Sequence, residues 1–351
     1  MAMKNRVRVA SGDPFGTHRS IDPKGSLPQP ARSLDNDFSR LFRGELLFSV
    51  ETLNIDAASF RQMEEAEPRR PVEDRILETI AERGKQHNPV TGSGGMLLGR
   101  VVEVSIDHPD VEKLRAGDRI ATLVSLSLTP LRIDRVKAVR KESAQIDVEG
   151  EGVLFASGAY AILPRDLEER LALAMLDVAG AAPQVARLAK PGATVLVLGA
   201  GGKSGILCAA EARRQVGASG KVIGVESHDR YASDLRDLGF CDEVLSIDAR
   251  DPTKVREDVM RAAGGEVDIS FSCVNVEDTE MSAILPVRDR GTAYFFAMST
   301  SFTKAALGAE GVGKDVDLVI GNGYAHGHAD HTLGMARDFP KIRELFTKRY
   351  T

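Results

Sequence analysis

The residues best suited to chemistry are a glycine cluster and the acid that follows it. Val195-Leu-Val-Leu198 is an apolar run that breaks into Gly199-Ala-Gly201-Gly202-Lys203-Ser204-Gly205. Glycines at such a break permit a tight turn and let the backbone approach a pyrophosphate. Residues 206–215 then read as a helix whose N-terminus would face that anion. A second apolar run, Val222-Ile-Gly-Val225, ends in Glu226, which follows the last glycine by the expected ~20 residues. A carboxylate there can accept hydrogen bonds from both ribose hydroxyls and repels a 2′-phosphate. That points to NAD, while Arg230 close by keeps NADP open as an alternative. A lone glycine pattern often serves packing only; strand, turn, helix, second strand and terminal acid in register are far more specific. Ser204 stands where the third glycine of the usual spacing would fall, with Gly205 one place later, so helix-to-strand packing is expected to differ slightly. Lys203 reads either as a pyrophosphate contact or as a solvated charge.

These groups need elements to carry them. From Leu167 onward helical and strand patterns alternate, with strands expected at 194–198, 222–226, 243–246, 267–272, 292–297 and 316–320 and one long helix over about 330–347. Such alternation predicts a doubly wound parallel sheet, a Rossmann domain spanning 166–351. Residues 1–165 read differently. An irregular Pro- and Gly-rich arm covers 1–40, followed by strands near 45–52, 99–105, 119–124 and 144–148 and a helix over 71–83. The fold class is therefore α/β, a β-rich domain followed by a Rossmann domain. A chain of 351 residues is long enough for two cores.

Composition narrows the function further. The net charge is −5 with no basic tail, which argues against a nucleic-acid partner. No apolar run approaches the ~20 residues of a membrane span, and no signal-peptide pattern opens the chain. Cys208, Cys241 and Cys273 lie far apart in apolar surroundings, which suits a reducing cytoplasm and gives no disulfide framework.

The order of elements, with Gly92-Ser-Gly-Gly-Met-Leu-Leu-Gly99-Arg-Val-Val, Gly117-Asp118-Arg-Ile and Pro191-Gly192-Ala-Thr-Val-Leu-Val-Leu-Gly-Ala-Gly-Gly, resembles the medium-chain dehydrogenase/reductase superfamily. The resemblance implies a GroES-like catalytic domain ahead of the Rossmann domain. Longer strings are similar to the L-erythro-3,5-diaminohexanoate dehydrogenase family within it. They are Gly16-Thr-His-Arg19, Asn88-Pro-Val-Thr-Gly-Ser-Gly-Gly-Met96, the segments 125–133 and 301–314, and Cys273-Val-Asn-Val276. That resemblance implies NAD-linked oxidative deamination in lysine fermentation, in which the 3-amino group leaves as ammonia and 5-amino-3-oxohexanoate and NADH form. The alternative it leaves is a zinc-free ketone or enal reductase of the quinone oxidoreductase type; a sensor that binds nucleotide without turnover is a third.

Departures from the superfamily are informative. Where its zinc enzymes carry a cysteine and a His-Glu pair, this chain has Asn54, Gly95 and Met96, and the structural-zinc cysteines are missing. Zinc needs several N, S or O ligands converging on one point, so a metal-free enzyme is expected. Oxidation of an amine-bearing carbon requires a neutral amine, hence a base to take its proton and water to release ammonia. The resemblance places Asp56 where relatives hold a proton-relay hydroxyl, making it the leading base or ammonium anchor; a turn-capping Asp is the bland alternative. Asp177 sits in an apolar stretch near the expected nicotinamide, where burial would demand a partner, either a substrate ammonium or an internal arginine. Glu310 is a candidate for the second amine, or a solvated loop acid. Arg132, Lys304 and Arg19 are candidates for the substrate carboxylate, or members of internal or surface ion pairs. Ser301, Thr303 and Asn275 could line the nicotinamide crevice, and Asn54 the substrate pocket. His326-Gly-His328-Ala-Asp330-His331 looks metal-like, but the favoured reading is a loop with Asp330 as helix N-cap. The partners expected are a small diamino acid and a second copy of the chain, as homodimer or homotetramer. Closure of the two domains over bound cofactor is also expected.

Overall fold

Strand-forming residues dominate the unit Met1–Arg165, one of two into which the chain divides, the other being Asp166–Thr351. The structure, a computed structural model, describes residues 6–9, 12–55, 57–66, 69–88, 92, 94–321 and 323–351. In the first unit the arm carries short strands β1 (Val7–Val9), β2 (Ser20–Asp22), β3 (Ser33–Leu34) and β4 (Arg40–Phe42). There follow β5 (Leu46–Asn54), α1 (Ala57–Ala66), α2 (Val72–Arg83), β6 (Met96–Val104) and β7 (Arg119–Thr122). Strands β8 (Leu131–Arg140), β9 (Gln145–Leu154) and β10 (Tyr160–Ile162) complete it. An antiparallel sheet runs in the order β10-β7-β6-β5-β9-β8. Leu46, Phe48, Val50 and Leu53 pack with Val72, Ile76 and Ile80, which recur at helical spacing on one face of α2.

Two expectations for this unit need correction. The arm is not merely irregular: its Arg19 is wholly buried, with Nε and Nη2 donating to Glu45 at 2.5 and 2.8 Å. Strand β8 was not anticipated, because Arg132, Arg135 and Arg140 interrupt its apolar alternation. It is one of the sheet's two edge strands, and those arginines pair across to Glu151, Glu149 and Asp147 of β9.

The second unit opens with α3 (Glu169–Leu176) and α4 (Ala181–Leu188), then alternates as expected. Its elements are β11 (Thr194–Leu198), α5 (Lys203–Val216), β12 (Lys221–Val225), α6 (Asp229–Leu238) and β13 (Glu243–Leu245). Next come α7 (Pro252–Ala263), β14 (Val267–Ser272), α8 (Glu280–Ile284), β15 (Val287–Phe295), α9 (Phe302–Gly311) and β16 (Asp317–Ile320). The strands form a parallel sheet in the order β13-β12-β11-β14-β15-β16. Strand order reverses between β11 and β14, the place where doubly wound sheets take ligands. The long final helix is in fact two, α10 (His328–Asp338) and α11 (Pro340–Tyr350). Pro340 lacks the donor that would continue α10 and holds Phe339 at φ −122°, ψ 87°, outside the helical region. No single helix among the described residues is long and apolar enough to cross a membrane.

Candidate functional site

The loop after β11 is shaped by backbone constraints. Gly199 takes φ +68°, and the N–H groups of Gly199 and Ala200 donate to the Val225 carbonyl at 2.9 and 3.1 Å, which ties the loop to β12. A side chain at Gly205 would place its Cβ 2.1 Å from the Gly199 carbonyl oxygen. Gly205 is therefore the close-packing glycine between helix and strand, one place later than the usual spacing. Helix α5 starts from Gly202, which offers no side-chain cap. Its first turn thus presents N–H groups and the positive end of the helix dipole without a carboxylate or hydroxyl covering them.

Glu226 follows directly on β12 and is buried, with Oε2 accepting from the Gly201 N–H at 3.1 Å and Oε1 from the His228 N–H at 3.0 Å. Each oxygen keeps a further lone pair, so the carboxylate can brace the loop and still receive two hydroxyls. Arg230 lies exposed in the first turn of α6. Lys203 is engaged: its Nζ donates to Asp177 at 2.8 Å and stands 5.1 Å from the Tyr350 ring centroid.

That contact also places Asp177. It is the C-cap of α3, its side chain about half exposed, so it needs neither a substrate ammonium nor an arginine to escape burial. Asn275 lies exposed beyond β14. Ser301 is the N-cap of α9, its Oγ accepting from the Lys304 N–H at 3.3 Å, while its own N–H donates to buried Glu280 at 2.7 Å. Thr303 is exposed, Lys304 pairs with Asp278 and Glu310 is exposed near the end of α9. The histidine tract is dispersed: His326 is exposed, His328 meets Tyr324 edge to face, and His331 Nε2 lies 3.2 Å from the fully buried Glu211. The cap of α10 is Gly327, not Asp330, which falls inside the first turn. Cys208 and Cys273, far apart in sequence, bring their sulfurs to 3.7 Å.

In the first unit Asn54 ends β5 opposite Met96, and its Oδ1 accepts from Gln145 Nε2 at 2.9 Å. Among the described residues no three His, Cys, Asp or Glu side chains are arranged to hold a metal ion. Arg132 Nη2 pairs with Glu151 at 2.5 Å and its Nε with Asp134 at 3.2 Å, so its charge is already met. Arg19 is likewise consumed by Glu45. Burial pushes the Glu45 carboxyl up, but Arg19 and His18 outweigh it and hold it below the ordinary carboxylate value. Asp56 lies outside the described residues.

Sequence reading missed Tyr231, Asp234 and Arg349, which gather around Gly201. No local motif links Arg349 to a loop 148 positions earlier.

Comparison with known proteins bears on the family and the fold. A family model for the L-erythro-3,5-diaminohexanoate dehydrogenase N-terminal domain matches residues 18–164. A protein of Acetoanaerobium sticklandii named L-erythro-3,5-diaminohexanoate dehydrogenase is 52% identical over 97% of this chain and 99% of its own. One of the same name from Fusobacterium nucleatum subsp. nucleatum is 50% identical over 97% of this chain and 100% of its own. Among solved structures, an alcohol dehydrogenase from Thermotoga maritima superposes with a TM-score of 0.53 at 17% identity, covering 86% of this chain and 84% of its own. A quinone oxidoreductase from Pseudomonas syringae gives 0.52 at 17%, covering 84% and 80%. These two likenesses are of fold.

Proposed function

The chain belongs to the L-erythro-3,5-diaminohexanoate dehydrogenase family, and we propose that it catalyses the NAD-dependent oxidative deamination of that diamino acid. The products are 5-amino-3-oxohexanoate, ammonia and NADH, a step of lysine fermentation. Identity of about half over nearly the full length carries the substrate assignment. Glu226 carries the choice of NAD, because a buried carboxylate facing the ribose would repel a 2′-phosphate.

The glycine loop and first turn of α5 fit the pyrophosphate, and Glu226 the adenosine ribose. Bound nicotinamide supplies a hydride acceptor for the amine-bearing carbon. The chain must supply the rest: a base for the substrate ammonium, a site for the carboxylate, and access for the water that displaces ammonia. Asp56 is our candidate base. Asp177, beside Lys203, lies at the cofactor unit's loop and is the second candidate. With Asn54 and Met96 in place of zinc ligands, the reaction is assigned to a metal-free site. The working form is a homo-oligomer, supported by Ile320, exposed on edge strand β16, and by exposed Phe302 and Leu307 on α9.

The deciding assay incubates chelator-treated protein with NAD and L-erythro-3,5-diaminohexanoate and follows NADH and ammonia together. Equal release of both is expected. Tight NAD binding with neither product would remove the diamino-acid assignment.

A further inference from the structure

The Gly201 peptide is gripped on both sides. Its N–H donates to Glu226, and its carbonyl accepts from Arg349 Nη1 at 2.7 Å. Arg349 is on α11, and only 4% of its side chain is exposed. Its Nε and Nη2 donate to Asp234 Oδ2 of α6 at 3.1 and 2.5 Å, and its guanidinium lies 4.4 Å from the Tyr231 ring centroid. A buried guanidinium needs a paired charge, and Asp234 provides it. A tie between α11 and α6 would be complete with Asp234 alone, yet a third arm of the same fork reaches the glycine loop. That loop has no side chains at Gly201 and Gly202 to define its own conformation. The next residue on α11, Tyr350, meets Lys203 at the start of α5, a second contact from the same helix.

We propose that Arg349 is a positioning residue for the dinucleotide: by holding the Gly201 carbonyl it presets the glycine loop to receive the pyrophosphate. The proposal rests on the dinucleotide reading above. Its energetic basis is preorganisation, since a loop ordered before binding does not lose that freedom on binding. Only arginine suits the position, because its planar fork reaches Asp234 and the carbonyl at once, whereas lysine is a single point of charge. Asp234 neutralises the guanidinium and Nε, Nη1 and Nη2 all have acceptors, so Arg349 is not a 2′-phosphate receptor. Its loss therefore weakens NAD and NADH together without inverting the preference over NADP.

The test measures NAD affinity by calorimetry, and steady-state kinetics, for the full chain and for Arg349→Lys, Arg349→Ala and Asp234→Asn. Arg349→Ala is expected to raise Kd and KM for NAD about tenfold, while kcat at saturating NAD stays within about twofold. Lysine should recover part of the loss, and Asp234→Asn should reproduce part of it by unpinning the fork. A merely structural role would lower the melting temperature without this split between KM and kcat. If the alanine variant does not fold, Arg349→Lys and Asp234→Asn decide. Folded variants that bind NAD as tightly as the unaltered chain would overturn the proposal and leave the dehydrogenase reading standing. An unaltered chain that binds neither NAD nor NADP would overturn both.

Discussion

Glu226 joins an observed role to a proposed one. It accepts the Gly201 and His228 N–H groups at 3.1 and 3.0 Å, and its remaining lone pairs are those that the proposed reading gives to the ribose hydroxyls. In Glu226→Gln one oxygen becomes an NH2 group that faces an N–H donor, so the loop loses a brace and the ribose an acceptor. We expect NAD affinity to fall about tenfold and NADP affinity to change less, because the charge opposing the 2′-phosphate is gone. Unchanged NAD binding by calorimetry would separate Glu226 from the ribose. The arginines teach the converse lesson. Arg19 and Arg132 were candidates for an anionic substrate, yet each is met by a glutamate within 2.5 Å. A sequence shows that a charge is present but not that a partner 19 or 26 positions away has claimed it.

At the scale of elements, the strand–loop–helix unit is legible because its constraints are local. Apolar β11 must end where glycines begin, and α5 must start where they stop. The shifted glycine is the exception with a physical reason: Gly205, not residue 204, faces the Gly199 carbonyl. Gly205→Val should therefore destabilise the chain by about 2 kcal/mol or more and abolish NAD binding, whereas Ser204→Ala should melt close to the unaltered chain. Thermal denaturation with and without NAD distinguishes the two, and a Gly205→Val protein of normal stability would refute this packing. The edge strand β8 was less legible, whereas β13 and β16, the edges of the parallel sheet, fall where the sequence reading expects them. In β8 cross-strand ion pairs replace the apolar alternation that marks a strand. At the other sheet's edge, β16 exposes Ile320. If that edge joins two copies, Ile320→Lys should shift the protein to a smaller species by light scattering, and an unchanged mass would place the interface elsewhere.

Over the whole molecule, each unit buries a carboxylate whose proton affinity is lowered. Burial pushes Glu45 and Glu211 up, but Arg19 with His18, and His331 with Arg214, hold them below the ordinary value. A carboxyl with a depressed folded value stabilises above its unfolded value, about 4.5, and loses that contribution as pH falls through the folded one. The contribution of these two carboxylates should accordingly be level near neutrality and decline below about pH 4.5, with Glu45→Gln flattening that part of the acid profile. A variant whose acid profile matches the unaltered chain would exclude Glu45 as a source. The amino-acid order was enough to settle the parallel sheet, its strand positions and the glycine–acid register, because these follow from periodicity, turn chemistry and spacing over a few tens of residues. It could not show that Arg349 grips the Gly201 carbonyl, that Lys203 meets Asp177, or that Arg19 disappears into the first unit. Those depend on which surfaces the helices and the arm pack against, and such contacts join residues whose separation along the chain carries no pattern.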